Sequence, residues 1–211
     1  MANRMLDTAG ALAVMLVLAG CGGSTGDGTA DPSQAASSPA ASASSQAPSS
    51  AAPSEEKWRA DVRTAMRGSL TLLDRRVADR TDGQRLAVNL DIDNTSVASY
   101  YDPGVALPDV LDFAVEADRR GVAVLFNTGR PDVAGGRMEA ERLLREAGYP
   151  VTEVCLRQVG EDLVAGKKRC RRHFKREGYT LIANVGNNAT DFEGRGYGRA
   201  YRLPNYDGAL S

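Results

Sequence analysis

Apolar side chains recur at Trp58, Val62, Met66, Leu70, Leu73 and Val77, the spacing of one helical face, directly after a helix start at Ser54-Glu55-Glu56. This pattern predicts a helix over 55–80. Short apolar runs then alternate with amphipathic ones. Strands are predicted at 86–90, 122–126, 152–156 and 180–185, with a fifth at 200–203. Helices are predicted at 108–120, from Pro131 through about 147, and at 168–177, each followed by a glycine (Gly121, Gly148 and Gly178). Strands separated by helices at this spacing imply an α/β fold, a central parallel sheet covered on both faces. Ligands of such open sheets bind beyond the carboxyl ends of the strands. The polar groups Asp91/Asp93, Thr128/Arg130 and Asn187/Asp191 each follow a predicted strand, so one site is implied.

The chain before residue 55 has a different pattern. Residues 22–54 contain no Val, Ile, Leu, Phe, Tyr or Trp, and Asp27 and Asp31 are the only charges. Nothing there can be buried to offset the entropy of ordering, so a flexible Ser/Ala/Pro linker is expected. Ahead of it, Arg4 precedes an apolar run over 9–19, shorter than the roughly 20 residues that span a bilayer. The run ends in Leu18-Ala19-Gly20-Cys21, which resembles the lipobox of bacterial lipoproteins. The resemblance implies a lipoprotein signal peptide over 1–20 and a lipid on Cys21. Residues 21–54 become a tether to the extracytoplasmic side of the cell membrane, and 55–211 the folded domain.

Composition narrows the chemistry. With 26 Lys+Arg against 27 Asp+Glu there is no basic field to favour nucleic acid. The single histidine, His173, excludes a multi-histidine metal centre, and three cysteines exclude a disulfide scaffold or a multi-cysteine zinc domain. What is left is work with carboxylates, hydroxyls and a lysine. Two carboxylates at i and i+2, Asp91 and Asp93, can divide the roles of nucleophile and proton carrier if their environments differ. Taken alone, the pair is also compatible with a surface turn or cap. Asp191 could add charge to hold Mg²⁺ through oxygen. Thr128, with nearby backbone N–H groups, could hold phosphoryl oxygens, and Lys167 could supply a point charge. Lys168 is the alternative lysine, and both could instead belong to a solvated basic helix face. His173 is expected to be an exposed helix residue. Tyr100, Tyr101 and Tyr197 could line a substrate face. Cys155 and Cys170 could pair, or remain separate thiols.

The ordered set of motifs is more specific. Asp91-Ile92-Asp93-Asn94-Thr95 is similar to the first motif of the haloacid dehalogenase (HAD) superfamily, and Phe126-Asn127-Thr128-Gly129-Arg130 resembles the second motif of its secreted acid phosphatases, subclass IIIB. Lys167, Arg171 and Gly178-Tyr179, then Asn184-Val185-Gly186-Asn187-Asn188-Ala189-Thr190-Asp191, match the third and fourth in order and spacing. Tyr100-Tyr101 also looks like that branch.

The resemblance implies a three-layer Rossmann-like fold with an N-terminal helix. The intervals between the motifs leave no room for a large cap domain, so only the helix over 55–80 could shade the site. It further implies Asp91 as nucleophile, Asp93 as general acid/base, and Thr128, Gly129 and Lys167 on the phosphoryl group. Mg²⁺ would sit on Asp91, the carbonyl of Asp93, Asp191 and position 187. The substrate would be a phosphomonoester, small or polymeric, hydrolysed outside the cytoplasmic membrane through an aspartyl-phosphate. One departure stands out: the fourth motif has Asn187 where the family carries an acid. The alternative is therefore a catalytically weak or inactive surface lipoprotein of the same fold, binding a phosphorylated ligand or a protein partner.

Overall fold

The computed structural model describes residues 51–210; the signal peptide expected over 1–20, Cys21 and the stretch up to residue 50 expected as linker lie outside the described residues. Five strands, β1 (Arg85–Leu90), β2 (Ala123–Pro131), β3 (Glu153–Arg157), β4 (Tyr179–Gly186) and β5 (Arg199–Arg202), form one sheet in the order β3-β2-β1-β4-β5. Every neighbouring pair is parallel. Parallel strands need crossovers, and helices supply three of the four, α3 (Pro108–Arg119), α4 (Gly136–Glu146) and α5 (Leu163–Arg176), while β4 and β5 are joined through a 3-10 turn at Ala189–Phe192. A further pair, α1 (Glu55–Ala65) and α2 (Ser69–Ala78), precedes the sheet.

The alternation of side chains along each strand decides which helix covers which face. Leu86, Val88, Leu90, Val124, Phe126 and Val154 pack with Trp58, Leu73, Phe113 and Leu144 from α1 to α4 in the larger core. Ala87, Leu125, Cys155 and Leu181 point the other way and pack against Cys170 and Phe174 of α5. The result is the expected three-layer fold. The order reverses between β1 and β4, and the polar segments after these strands therefore meet at the switch point.

Three boundaries differ from the sequence expectation. The helix expected over 55–80 is two helices, because Gly68 takes a left-handed conformation at φ 77° that breaks the ladder. Pro131 ends β2 instead of starting a helix: it pairs with Arg157, and the next N–H, of Asp132, donates to the Arg157 carbonyl at 2.7 Å. Finally, α5 begins at Leu163, capped by the Asp162 carboxylate, which accepts from the Ala165 N–H at 3.0 Å. Lys167 is thereby placed within a helix.

Cys155 of β3 and Cys170 of α5 form a disulfide across a separation of 15 residues. Closing a loop of that length contributes about 3 kcal/mol in the chain-entropy account, and it ties the helix that carries Lys167 to the sheet. His173 is not free on the surface: its Nε2 lies 2.5 Å from Glu153 Oε1. The body is already engaged before α1, since the Tyr101 hydroxyl donates to the Pro53 carbonyl at 2.5 Å. Among the described residues no helix is long and apolar enough to cross a membrane.

Candidate active site

At the end of β1 the Asp91 N–H donates to the Val185 carbonyl at 2.9 Å, holding the chain beside β4 for one more residue. It then turns sharply. The Ile92 carbonyl accepts from the N–H groups of Thr95, Ser96 and Val97, and Asn94 takes a positive φ of 50°. Asn94 locks this turn by donating to the Leu210 carbonyl at 2.6 Å and accepting from the Tyr100 N–H at 2.8 Å. The turn presents Asp91 and Asp93 to one cleft of about 210 Å³, lined also by Gly129, Arg130, Leu163, Lys167, Asn187, Asp191 and Leu210.

Lys167 is the hub. Its Nζ lies 2.5 Å from Asp91 Oδ1, 2.6 Å from Asp191 Oδ1 and 2.6 Å from the Asn127 carbonyl. Asn127 grips the lysine at its other end too, its Nδ2 donating to the Lys167 carbonyl at 3.0 Å. Asp191 arrives from β4 through a 3-10 turn at Ala189–Phe192, in which its Oδ2 accepts from the Asn188 N–H at 2.9 Å. Gly186 makes this possible, because a Cβ there would overlap the Asp191 carboxylate. The Asp191 carbonyl accepts from Arg171 Nη1 at 2.8 Å and Asn184 Nδ2 at 3.1 Å. Arg171 thus orients the backbone of the acidic loop and not the carboxylate itself.

The two carboxylates after β1 have opposite surroundings. Asp91 is 7 % exposed, and burial pushes its carboxyl up to about 7 against the opposing pull of Lys167. Asp93 is held by the Arg130 fork, with Oδ1 to Nη2 at 2.7 Å and Oδ2 to Nε at 2.9 Å, and by the Ser99 hydroxyl at 2.6 Å. Burial works against the Asp93 charge, but these donors outweigh it and hold the carboxyl below its ordinary range. Burial likewise opposes the Lys167 charge, and Asp91 and Asp191 outweigh it and raise the ammonium.

Not every expected residue reaches the cleft. Thr128 is buried, and its hydroxyl oxygen accepts from the Arg130 N–H at 3.2 Å; Gly129 and Arg130 line the cleft beside it, and Thr128 does not. Tyr100, Tyr101 and Tyr197 are also absent from the lining. The cleft is shaded by Leu163 and Leu210, not by the N-terminal helices. The sequence placed Arg130 near the site only as a neighbour of Thr128, and gave Asn127, Ser99 and Thr95 no role of their own. Arg130 and Asn127 flank Thr128 within the second motif, which was the available signal.

The charges and unsatisfied atoms of the site bear on a divalent cation. Fully ionised, Asp91, Asp93 and Asp191 exceed Lys167 and Arg130 by one negative charge among the lining residues, so a phosphate dianion would meet net repulsion. Asp191 Oδ1, though close to Lys167, is buried with no aligned hydrogen-bond donor. Asn187 Oδ1 and Asp91 Oδ2 each lie 3.3 Å from the Thr95 hydroxyl. The donors are all oxygen, which fits a hard cation. With an amide at 187 they bring one charge fewer than a carboxylate there would.

A family model described as HAD superfamily, subfamily IIIB (Acid phosphatase), matches residues 103–209. The match includes Thr128, Lys167 and Asp191 and begins after Asp91 and Asp93. Among solved structures, the class C acid phosphatase from Bacillus anthracis is similar in fold, with a TM-score of 0.54 and 18% identity over 74% of this chain and 83% of that one. No curated protein matches the sequence.

Proposed function

This chain belongs to subfamily IIIB of the HAD superfamily, the acid phosphatases, and is a phosphatase; from that premise we propose that it hydrolyses phosphomonoesters through an aspartyl-phosphate formed on Asp91, with Mg²⁺ as cofactor. The observation that carries this reading is the contrast between two carboxylates in one cleft. Asp91 is buried against Lys167, while Asp93 is held ionised by Arg130.

Asp91 Oδ2, with only the Thr95 hydroxyl at 3.3 Å, is the oxygen free to attack phosphorus. Lys167 fixes the other oxygen and so aims the carboxylate. As the Asp91–phosphorus bond forms, the ester bond breaks and the leaving alkoxide takes a proton from Asp93. Water then attacks the acyl phosphate, Asp93 accepts its proton, and Asp91 is released with inorganic phosphate. Asp93 cannot hold a proton while Arg130 grips both its oxygens. An incoming phosphate that draws the guanidinium away would free Asp93 for the acid half of the cycle. The Gly129 backbone N–H is left to the phosphate position, and Thr128 fixes the loop beside it by accepting from the Arg130 N–H. Mg²⁺ would be held by Asp91, the Asp93 carbonyl, Asp191 and Asn187, and would offset charge on the transferring group.

The competing reading, a binding protein with a weakened metal site, rests on Asn187. Hydrolysis of an aryl phosphate with Mg²⁺ and with chelator, in the parent and in Asn187→Asp, separates them. We expect Mg²⁺-dependent turnover in the parent, with the Mg²⁺ concentration for half-maximal activity lowered about tenfold in Asn187→Asp by the added charge. A silent parent beside an active Asn187→Asp would sink the enzyme reading and support the binding one.

We place the protein outside the cytoplasmic membrane, anchored by lipid on Cys21. The support is the apolar run ending in Leu-Ala-Gly-Cys and the Ser/Ala/Pro-rich sequence that follows it. Cys21→Ser is expected to move the chain from the membrane fraction to the soluble one. Retention of the variant in membranes would exclude this anchor.

A further inference from the structure

On α5, Lys168, Arg171, Arg172 and Lys175 fall at i, i+3, i+4 and i+7, one face of the helix. Together with Arg195 they line a second cleft, of about 180 Å³, and no carboxylate lines it. The neighbouring stripe of the same helix is charge-matched, with Arg169 on Glu161 at 3.0 Å and His173 on Glu153 at 2.5 Å. Among the described residues Lys168, Arg172, Lys175 and Arg195 form no ion pair.

The cleft is walled by the segment between the 3-10 turn and β5. This segment lies so close to the lysines that a Cβ on Gly194 would come 3.0 Å from Lys168 Cε, and one on Gly196 would overlap Lys175. Arg171, 3 % exposed, anchors that wall by donating to the carbonyls of Asp191 and Glu193, with the Tyr197 ring 5.4 Å from its guanidinium. The backbone N–H groups of Gly194, Arg195, Gly196 and Tyr197 have no protein acceptor among the described residues. Like charges crowded into a concave site repel one another unless an anion is present. Guanidinium forks and ammonium groups with spare N–H donors suit a compact anion with several acceptor oxygens.

We propose that this cleft is a second anion site, separate from the catalytic one, that takes a phosphate group, free or on a lipid headgroup. The proposal does not depend on Asp91 chemistry. Its test is a calorimetric titration of inorganic phosphate into the full chain and into the Lys175→Ala/Arg195→Ala variant at low salt. The parent is expected to bind phosphate at two places and the variant to lose the second, weakened about tenfold or more, with aryl phosphate turnover unchanged. Were the catalytic reading wrong, the parent would bind one phosphate fewer, but the loss in the variant would persist. A second arm uses vesicles of phosphatidylglycerol, with phosphatidylcholine as control, and the full chain carrying Cys21→Ser so that no lipid anchor contributes. Binding of anionic vesicles that the variant loses assigns the site to a headgroup; phosphate binding without it assigns the site to free phosphate. Equal binding of both probes by parent and variant overturns the proposal.

Discussion

Replacing Asp91 by Asn is expected to lower kcat for an aryl phosphate by at least about 10³-fold while the fold persists, because the amide cannot form the acyl phosphate. Asn has the shape of Asp, and its carbonyl oxygen can still accept from Lys167 Nζ, 2.5 Å away in the parent. The variant also keeps one charge fewer in a pocket where Asp91 and Asp191 share a single ammonium. Its stability should therefore match or exceed that of the parent. Steady-state kinetics and a denaturant titration on one preparation check both halves. Turnover within about tenfold of the parent, in a folded variant, would remove Asp91 from the nucleophile's role.

The second large effect concerns stability. Lys167→Met leaves Asp91 and Asp191 buried and facing each other without the ammonium between them; their side chains are 10% and 3% exposed. Removing one partner of a buried ionic cluster costs about 3–5 kcal/mol, because the remaining charges keep their desolvation penalty and lose their attraction. We expect that loss in the denaturant midpoint, measured in chelator so that no cation replaces the lysine. Combining Lys167→Met with Asp91→Asn should recover a large part of it, since one stranded carboxylate is then gone. A loss below about 1 kcal/mol, or no recovery in the double variant, would show that the three side chains are not coupled as their distances indicate.

The parallel α/β architecture was legible because hydrophobic periodicity is a local property. Six apolar positions at helical spacing and five short apolar runs are enough to set the element types. The polar clusters at strand ends were legible for the same reason. Boundaries were less so. Whether Pro131 starts a helix or ends a strand depends on Arg157, 26 residues away, and nothing local to Pro131 records that pairing. Lys167 could be selected over Lys168 by motif spacing, yet its placement inside α5 follows from Asp162 capping a helix whose first turn, Leu163-Val164-Ala165-Gly166, has little pattern of its own.

The ordered motifs that resemble the HAD superfamily pointed to Asp91, Asp93, Lys167, Asn187 and Asp191, and the fold brings all five to one cleft. Tertiary structure decided the electrostatics. Burial and a shared ammonium set Asp91 apart from Asp93, which is only two residues further along. The Arg130 fork on Asp93, the Asn127 grip on Lys167 and the turning of Thr128 away from the cleft all join residues far apart in the chain or depend on rotamers. The unpaired basic cleft likewise emerges only when α5 and the segment carrying Arg195 are folded together. A charge shows in the sequence wherever it stands, but whether it has a partner is a property of distance in space.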